Sequence, residues 1–385
     1  MMEASSLTDI LRTLIGENTV NPPGNERGLA LRIRDLLGGH GIDSRVDELG
    51  DNRANLIAEL KGEAAGPVLL FNGHLDTVPF KPDWDCDPLA GVVADGRLVG
   101  LGAVDMKGSI ASMIGAAIDL VRDRRRQWQG TLLLGFVADE ERKGIGTRDF
   151  LRRYPRPDFA VIGEPSDLEL VTSNRGVLRL RISTHGTAGH CSNPAVGVNA
   201  IYHMAGVIER LKDYAAVISA DAREHHLRPT LSVTTITGGT AENVIPDACR
   251  ITIDRRLIHG ESAEQVEAEI TGLLEGLKRE DAAFRYAWQR FEYMPAWSAW
   301  ERSRLLPICR SVFESCYGRQ PVPRDLGGTS EAGLYAEAGV DTIIFGVGKI
   351  SLAHTRNESL EVRQLGQAAG FYRALAEEIL KPRKS

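Results

Sequence analysis

Val68-Leu69-Leu70-Phe71-Asn72-Gly73-His74-Leu75-Asp76 is an apolar run that closes on two polar side chains. A continuous apolar run of this kind, stopped by glycine, reads as a strand covered on both faces, here Val68–Asn72. The pattern recurs at Thr131–Ala138 and Phe159–Ile162. Helical stretches stand around it, at Leu7–Glu17, at Glu26–Leu37 where Gly38-Gly39 stops the periodicity, and from about Gly108 to Val121. Doubly covered strands alternating with helices predict an α/β class, a mostly parallel sheet flanked by helices.

The style changes near Arg175. Val177-Leu178-Arg179-Leu180-Arg181-Ile182 alternates apolar with basic residues, as a strand with one wet face does. A helix from about Val198 to Leu211, strands Thr230–Thr237 and Cys249–Leu257, a helix opened by Ser262 and a strand Phe284–Phe291 follow. Ser262-Ala263-Glu264-Gln265 fits a capping box at that helix start. The order β-α-β-β-α-β is a split βαβ, an antiparallel sheet with two helices on one face. The first style returns with a helix near Arg302–Cys316, a strand Thr342–Val347 and a closing helix from about Val362 to Ile379. The expectation is a discontinuous catalytic domain, residues 1–175 plus 290–385, interrupted by an inserted α+β domain at 176–289. The 385 residues also exceed the roughly 250–300 at which single cores usually split.

Composition excludes several classes. Hydrophobic residues make up 43% and charged residues 25%, the balance of a globular protein and not of a disordered chain. A formal net charge of -6 leaves no cationic excess for a phosphate backbone, so nucleic acid is excluded as a partner. Arg122-Asp123-Arg124-Arg125-Arg126 follows a helical run and reads as cations at a helix C-terminus. Five cysteines (Cys86, Cys191, Cys249, Cys309, Cys316) form no C-x-x-C pair and an odd set, which points to reduced thiols in a cytoplasmic protein. The N-terminus has no basic segment leading into an apolar one, and no run approaches the ~20 apolar residues of a membrane span, so neither secretion nor a membrane is expected.

Polar groups follow the predicted strands directly: His74 and Asp76, then Asp139-Glu140-Glu141, then Glu164. In open α/β sheets the crevice beyond the strands' carboxyl ends is where ligands bind, so these side chains can converge. In His74-Leu75-Asp76 the two polar side chains point to the same side of an extended chain, where a carboxylate can accept the imidazole's second N–H. Asp105 lies between a glycine-bearing loop and a helix start, and fits an N-capping aspartate as well as a ligand. Asp139-Glu140-Glu141 fits a solvated loop, or a site where positive charge offsets the repulsion. With His354 the set holds two histidines and several carboxylates without thiolates, a donor set suited to Zn²⁺, Mn²⁺ or Co²⁺.

In combination these motifs resemble the co-catalytic zinc aminoacylases and carboxypeptidases, the family of acetylornithine deacetylase, succinyl-diaminopimelate desuccinylase and carboxypeptidase G. The resemblance rests on Gly73-His74-Leu75-Asp76, Asp105-Met106-Lys107-Gly108, Asp139-Glu140-Glu141, Gly163-Glu164-Pro165-Ser166 and Ala353-His354-Thr355 with Asn357-Glu358. It implies a zinc-exopeptidase-like fold and two Zn²⁺ per subunit, with Co²⁺ or Mn²⁺ as substitutes. His74 and Glu164 would hold one ion, Glu141 and His354 the other, and Asp105 would bridge them. Asp76 would be the partner of His74, Glu140 the general base, and the Asp105–Met106 peptide cis.

The resemblance extends to the insert. Gly186-Thr187-Ala188-Gly189-His190-Cys191-Ser192-Asn193-Pro194 and Gly197-Val198-Asn199-Ala200 resemble the family's dimerisation signature, implying a lid domain, a homodimer, and His190 reaching the partner's active site; a structural histidine stays open. Asn243 and Arg256 resemble positions that hold the substrate's carboxylate or carbonyl, with a surface salt bridge as the other reading of Arg256. Gly327-Gly328-Thr329-Ser330-Glu331 is similar to a substrate-contacting loop, or is an ordinary turn; Gly328, Thr329 and Ser330 are its candidate contacts. Ser109 stands where glycine is common, and His259 precedes Gly260 where proline is usual. The implied activity is hydrolysis of the amide of a small N-acyl amino acid. A dipeptidase or carboxypeptidase would use the same site, and a silent binder of an amino-acid derivative would have no need of Glu140.

Overall fold

Residues 2–123, 128–220, 227–299, 303–322 and 324–382 are described by the computed structural model. Arg124, Arg125 and Arg126, the greater part of the basic stretch, lie outside the described residues. The chain forms two compact units: Met1–Thr172 with Ala299–Leu326 and Leu334–Ser385, and Ser173–Ser298 with Gly327–Gly333. The second unit is therefore wider than 176–289. Its last long strand, Arg285–Met294, runs past Gln289, and Gly328 O accepts a hydrogen bond from Arg175 N (2.9 Å), tying Gly327–Gly333 to the segment that enters the insert.

In the first unit Gln129–Val137, Ala64–His74, Phe159–Ile162 and Asp341–Ile344 lie side by side and parallel. These are the runs read as doubly covered strands, and both faces are covered. Phe71 packs on Tyr372 of the helix Val362–Leu380, ring centroids 4.9 Å apart. A Cβ on Gly73, on that same face, would stand 2.8 Å from Ile110 of the helix Lys107–Arg122. From the opposite face Asn72 Nδ2 donates to Tyr335 Oη (2.9 Å), and Tyr335 packs on Phe150 of the helix Ile145–Arg153.

The sheet is mixed. Ser44–Gly50 and Arg53–Lys61 form an antiparallel hairpin that joins Gln129–Val137 at one edge, and Val171 pairs antiparallel with Ile344 on the other side. Sequence reading passes over the hairpin because Ser44-Arg45-Val46-Asp47-Glu48 carries the charges of a half-exposed edge strand and shows no apolar run. Helix Lys107–Arg122 is buried at every position from Lys107 to Leu120. Its small residues, Gly108, Ser109, Ala111, Ser112, Gly115, Ala116 and Ala117, allow that close packing. Among the described residues no helix is long and apolar enough to cross a membrane.

The second unit is the split βαβ. Its strands stand in the order Thr230–Gly238, Ala248–Leu257, Gly176–His185, Arg285–Met294, every neighbour antiparallel. Leu178, Leu180 and Ile182 join Met204, Val207, Ile253, Val266 and Ile270 in one core with the helices Ala200–Ala220 and Ala263–Glu280. The alternate residues face outward, and Arg179 pairs there with Asp254 (2.8 Å) and Glu292 (2.6 Å). Ser262 Oγ accepts the Gln265 N–H (3.1 Å), but the Gln265 side chain donates to Glu269, so only half of the capping box forms.

Candidate metal centre

Four parallel strands deliver the polar residues to one end of the first unit's sheet. His74 is the last residue of its strand, Asp139-Glu140-Glu141 follow Gln129–Val137, Glu164 follows Phe159–Ile162, and His354 comes after Asp341–Ile344. Asp105 arrives from the loop before Lys107–Arg122. The N-cap position of that helix is Met106 with no side-chain cap, which removes the capping reading of Asp105.

The side chains gather in two groups, His74–Asp105–Glu164 and Asp105–Glu141–His354, with the candidate donor atoms of each within 4.8 Å of one another. Asp105 belongs to both and divides its oxygens between them. Its Oδ1 lies 3.0 Å from His74 Nε2 and its Oδ2 3.2 Å from His354 Nε2, while Glu141 Oε1 is 3.0 Å from His354 Nε2. His74, Asp105 and Glu164 are buried; His354 is half-exposed. Two sets of nitrogen and oxygen donors sharing one carboxylate fit a pair of divalent ions. The Asp105–Met106 peptide is cis.

Asp139 is buried, so the acidic triplet is not a solvated loop. The compensation it needs comes from two sides. Asp139 Oδ1 pairs with Arg53 (2.8 Å), and Glu141 with His354.

The electrostatics match a site built for cations. Burial would lower the pKa of His74, but its contact with Asp105 and the charges of Glu140 and Glu164 outweigh it and hold the imidazole well above its ordinary value. His354 is pushed up to about 10 by its bonds to Asp105 and Glu141. Asp105 goes the other way: the two histidines beside it overcome burial and keep its carboxyl well below the usual carboxylate range. Burial raises Glu141.

Asp76 stands beside His74, and it meets the ring first through its main chain. His74 Nδ1 donates to the main-chain carbonyl of Asp76 (2.9 Å), and the nearer carboxylate oxygen is 3.7 Å away. The carboxylate turns instead to two backbone amides, accepting Glu140 N–H at Oδ1 (3.0 Å) and Glu141 N–H at Oδ2 (3.2 Å). Periodicity places both side chains on one side, but not the carbonyl between them that reaches the ring first.

In the second unit His190 and Asn243 are brought together. Gly189–His190 pairs antiparallel with Val244–Ile245, and Asn243 O accepts Cys191 N–H (3.1 Å). His190 is exposed, its Nδ1 2.7 Å from Ser192 Oγ. Arg256 donates to Asp254 (2.7 Å), the contact of its salt-bridge reading, and to Thr329 Oγ1 (3.3 Å). Gly328 bonds to Arg175, and Ser330 is fully buried with its Oγ accepting Ala332 N–H (3.3 Å).

Sequence reading gave no role to two supports. Glu358 is buried and accepts N–H bonds from Gly102 (3.0 Å), Val104 (2.7 Å) and Asp105 (3.0 Å), clamping the loop that presents Asp105; burial pushes its pKa up to about 7. Its place four residues after His354 was the available signal. Asn21 and Arg53 reach Asp139 across 118 and 86 positions, and no local pattern announces that.

The chain is similar to known proteins. The chain is 33% identical over 394 residues to succinyl-diaminopimelate desuccinylase of Stenotrophomonas maltophilia, a match covering 98% of this chain and 100% of that one. It is 30% identical over 325 residues to acetylornithine deacetylase of Myxococcus xanthus, covering 83% and 82%. A dinuclear metal-binding peptidase of Bacillus subtilis has a similar fold, with a TM-score of 0.76 at 20% identity over 98% of each chain. The model of peptidase family M20/M25/M40 matches residues 70–378. With its mixed sheet, its carboxylate shared between two histidines and this span of agreement, the chain belongs to the M20/M25/M40 peptidase family.

Proposed function

We propose that this hydrolase of the M20/M25/M40 family uses two metal ions, Zn²⁺ first among them, to cleave the amide of a small N-acyl amino acid. The observation that carries the reading is Asp105, whose two oxygens face two different histidines at 3.0 and 3.2 Å. His74 and Glu164 would hold one ion, Glu141 and His354 the other, and Asp105 would serve both. The ions, when bound, lower the pKa of water and polarise the substrate's carbonyl. Glu140 would take a proton from the attacking water as its oxygen bonds to the substrate's carbonyl carbon, and pass it to the amine nitrogen as the C–N bond breaks. Asp76 holds the Glu140 and Glu141 amides, and its carbonyl keeps the Nδ1 proton on His74, leaving Nε2 to the ion.

Arg256 and Thr329 suit a substrate carboxylate, with Gly328 and Ser330 shaping the loop beside them. Asn243 and His190 serve the carbonyl side. The second unit dimerises: Thr230–Gly238 is an edge strand with Ile236 58% exposed, and unpaired edges pair with other chains. All five cysteines are unpaired, which supports a reducing compartment.

The deciding experiment assays Zn²⁺-loaded protein and its Glu140→Ala variant on N-acetyl, N-succinyl and N-carbamoyl amino acids and a few dipeptides. Amine release on an acyl amino acid, lost in Glu140→Ala while the metal stays bound, is expected. Release from dipeptides alone replaces the deacylase with a peptidase. No turnover at all makes the chain a binder, and full turnover in Glu140→Ala removes that residue from the mechanism.

A further inference from the structure

Polar side chains join the N-terminal loop to the turn carrying Glu140 and Glu141. That turn begins at Asp139, whose φ of 67° lies in the left-handed region, and closes with Lys143 and Gly144 donating to Asp139 O (3.1 and 2.7 Å). The turn's own bonds shape it but do not place it. Side chains from elsewhere do that.

Asn21 Nδ2 donates to Asp76 Oδ2 (2.8 Å) and to Asp139 Oδ1 (2.9 Å), fastening together the two carboxylates on either side of the turn's entrance. Arg53 holds Asn21 in turn, donating to its Oδ1 (2.8 Å), while its other amino group spans Asp139 Oδ1 (2.8 Å) and the fully buried Glu26 (3.1 Å). The Arg53 side chain is 12% exposed, and its planar fork meets these acceptors together as an ammonium would not. The chain of bonds ends on the amides of Glu140 and Glu141, through Asp76.

We infer that Arg53 and Asn21 are positioning residues for the turn that presents Glu140 and Glu141, acting through Asp139 and Asp76. For its catalytic consequence the inference rests on the hydrolase reading; for its structural consequence it does not. A general base must stay within hydrogen-bond reach of its water, and a displacement of about 1 Å costs on the order of 100-fold in rate. A guanidinium locked among buried acceptors supplies that stiffness far from the reacting atoms.

The test compares amide hydrogen exchange by mass spectrometry in the metal-free wild type, Arg53→Met and Arg53→Lys. It adds kcat and KM of the Zn²⁺-loaded forms on whichever substrate the wild type turns over. In Arg53→Met the segment 138–144 exchanges about tenfold faster while Ala64–His74 stays as protected as in the wild type. Its kcat falls about tenfold with KM unchanged, and Arg53→Lys recovers part of both effects. Wild-type exchange in 138–144 overturns the inference, as does a rise spread evenly over the chain, the mark of general destabilisation. If Arg53→Met does not fold, Asn21→Ser gives the same exchange readout. A wild type without turnover defeats the proposed function and leaves the exchange result decisive for the network.

Discussion

At the residue scale, the chemistry depends on which atom of a side chain faces which neighbour. Asp76 sits two positions from His74 yet serves the imidazole through its carbonyl and the Glu140 turn through its carboxylate. Asp76→Ala therefore separates the two roles. It keeps the His74 orientation and lowers kcat by on the order of 100-fold, because two backbone amides lose a charged acceptor worth about 1.5–3 kcal/mol each. Steady-state kinetics beside elemental analysis checks this, and loss of the ion held by His74 would contradict it.

The histidines also set a dependence on pH. In the metal-free protein His354 is pushed up to about 10 from an ordinary 6.5, and His74 is raised as well. A raised histidine pKa adds stability that is whole below 6.5 and lost as pH climbs towards 10. The melting temperature of the metal-free protein is expected to fall across that interval, and that of the loaded protein to stay level, since the ions replace the protons. Loading at neutral pH releases protons, which calorimetry in buffers of different ionisation enthalpy detects. A flat profile without metal would sink this account.

At the scale of elements, the centre depends on one helix lying hard against the strand ends. Gly73 and Gly163 precede the candidate ligands His74 and Glu164, and both face Met106 and the first turns of Lys107–Arg122. A Cβ on Gly163 would stand 2.5 Å from Met106 Cε and 2.8 Å from both Met113 Cε and Ser109 Cβ. Gly163→Ala is expected to cost about 1–3 kcal/mol in urea unfolding and to weaken metal binding as Glu164 shifts. Unchanged values of both would show that the helix yields. The strands were legible because each is a short apolar run, and the candidate donors His74, Glu140, Glu141 and Glu164 were legible because they stand at or just past the strand ends. The hairpin Ser44–Lys61 was not, because its outer strand Ser44–Gly50 is charged and lacks that run, and Arg53 went unread because its partners Asn21, Glu26 and Asp139 lie far from it in sequence. That the Asp76 carbonyl reaches the ring ahead of its carboxylate was not legible, because spacing encodes the side a residue faces and not the competition of backbone donors for it.

At the scale of the molecule, the insert's alternating Arg179 and Arg181 were enough to separate a half-wet antiparallel sheet from a doubly covered one. The segment Gly327–Gly333 was read with the first unit because its bonds to Arg175 join residues far apart in sequence. Ile236→Arg on the exposed edge strand is expected to turn a dimer into a monomer in sedimentation velocity. A wild type that sediments as a monomer rejects the dimer directly. Finally, the donors reach the site from widely spaced points of the chain, His354 last, after the whole insert has been made. A nascent chain that has emerged only past Glu164 already owns His74, Asp105 and Glu164, the first group of donors, but not the second.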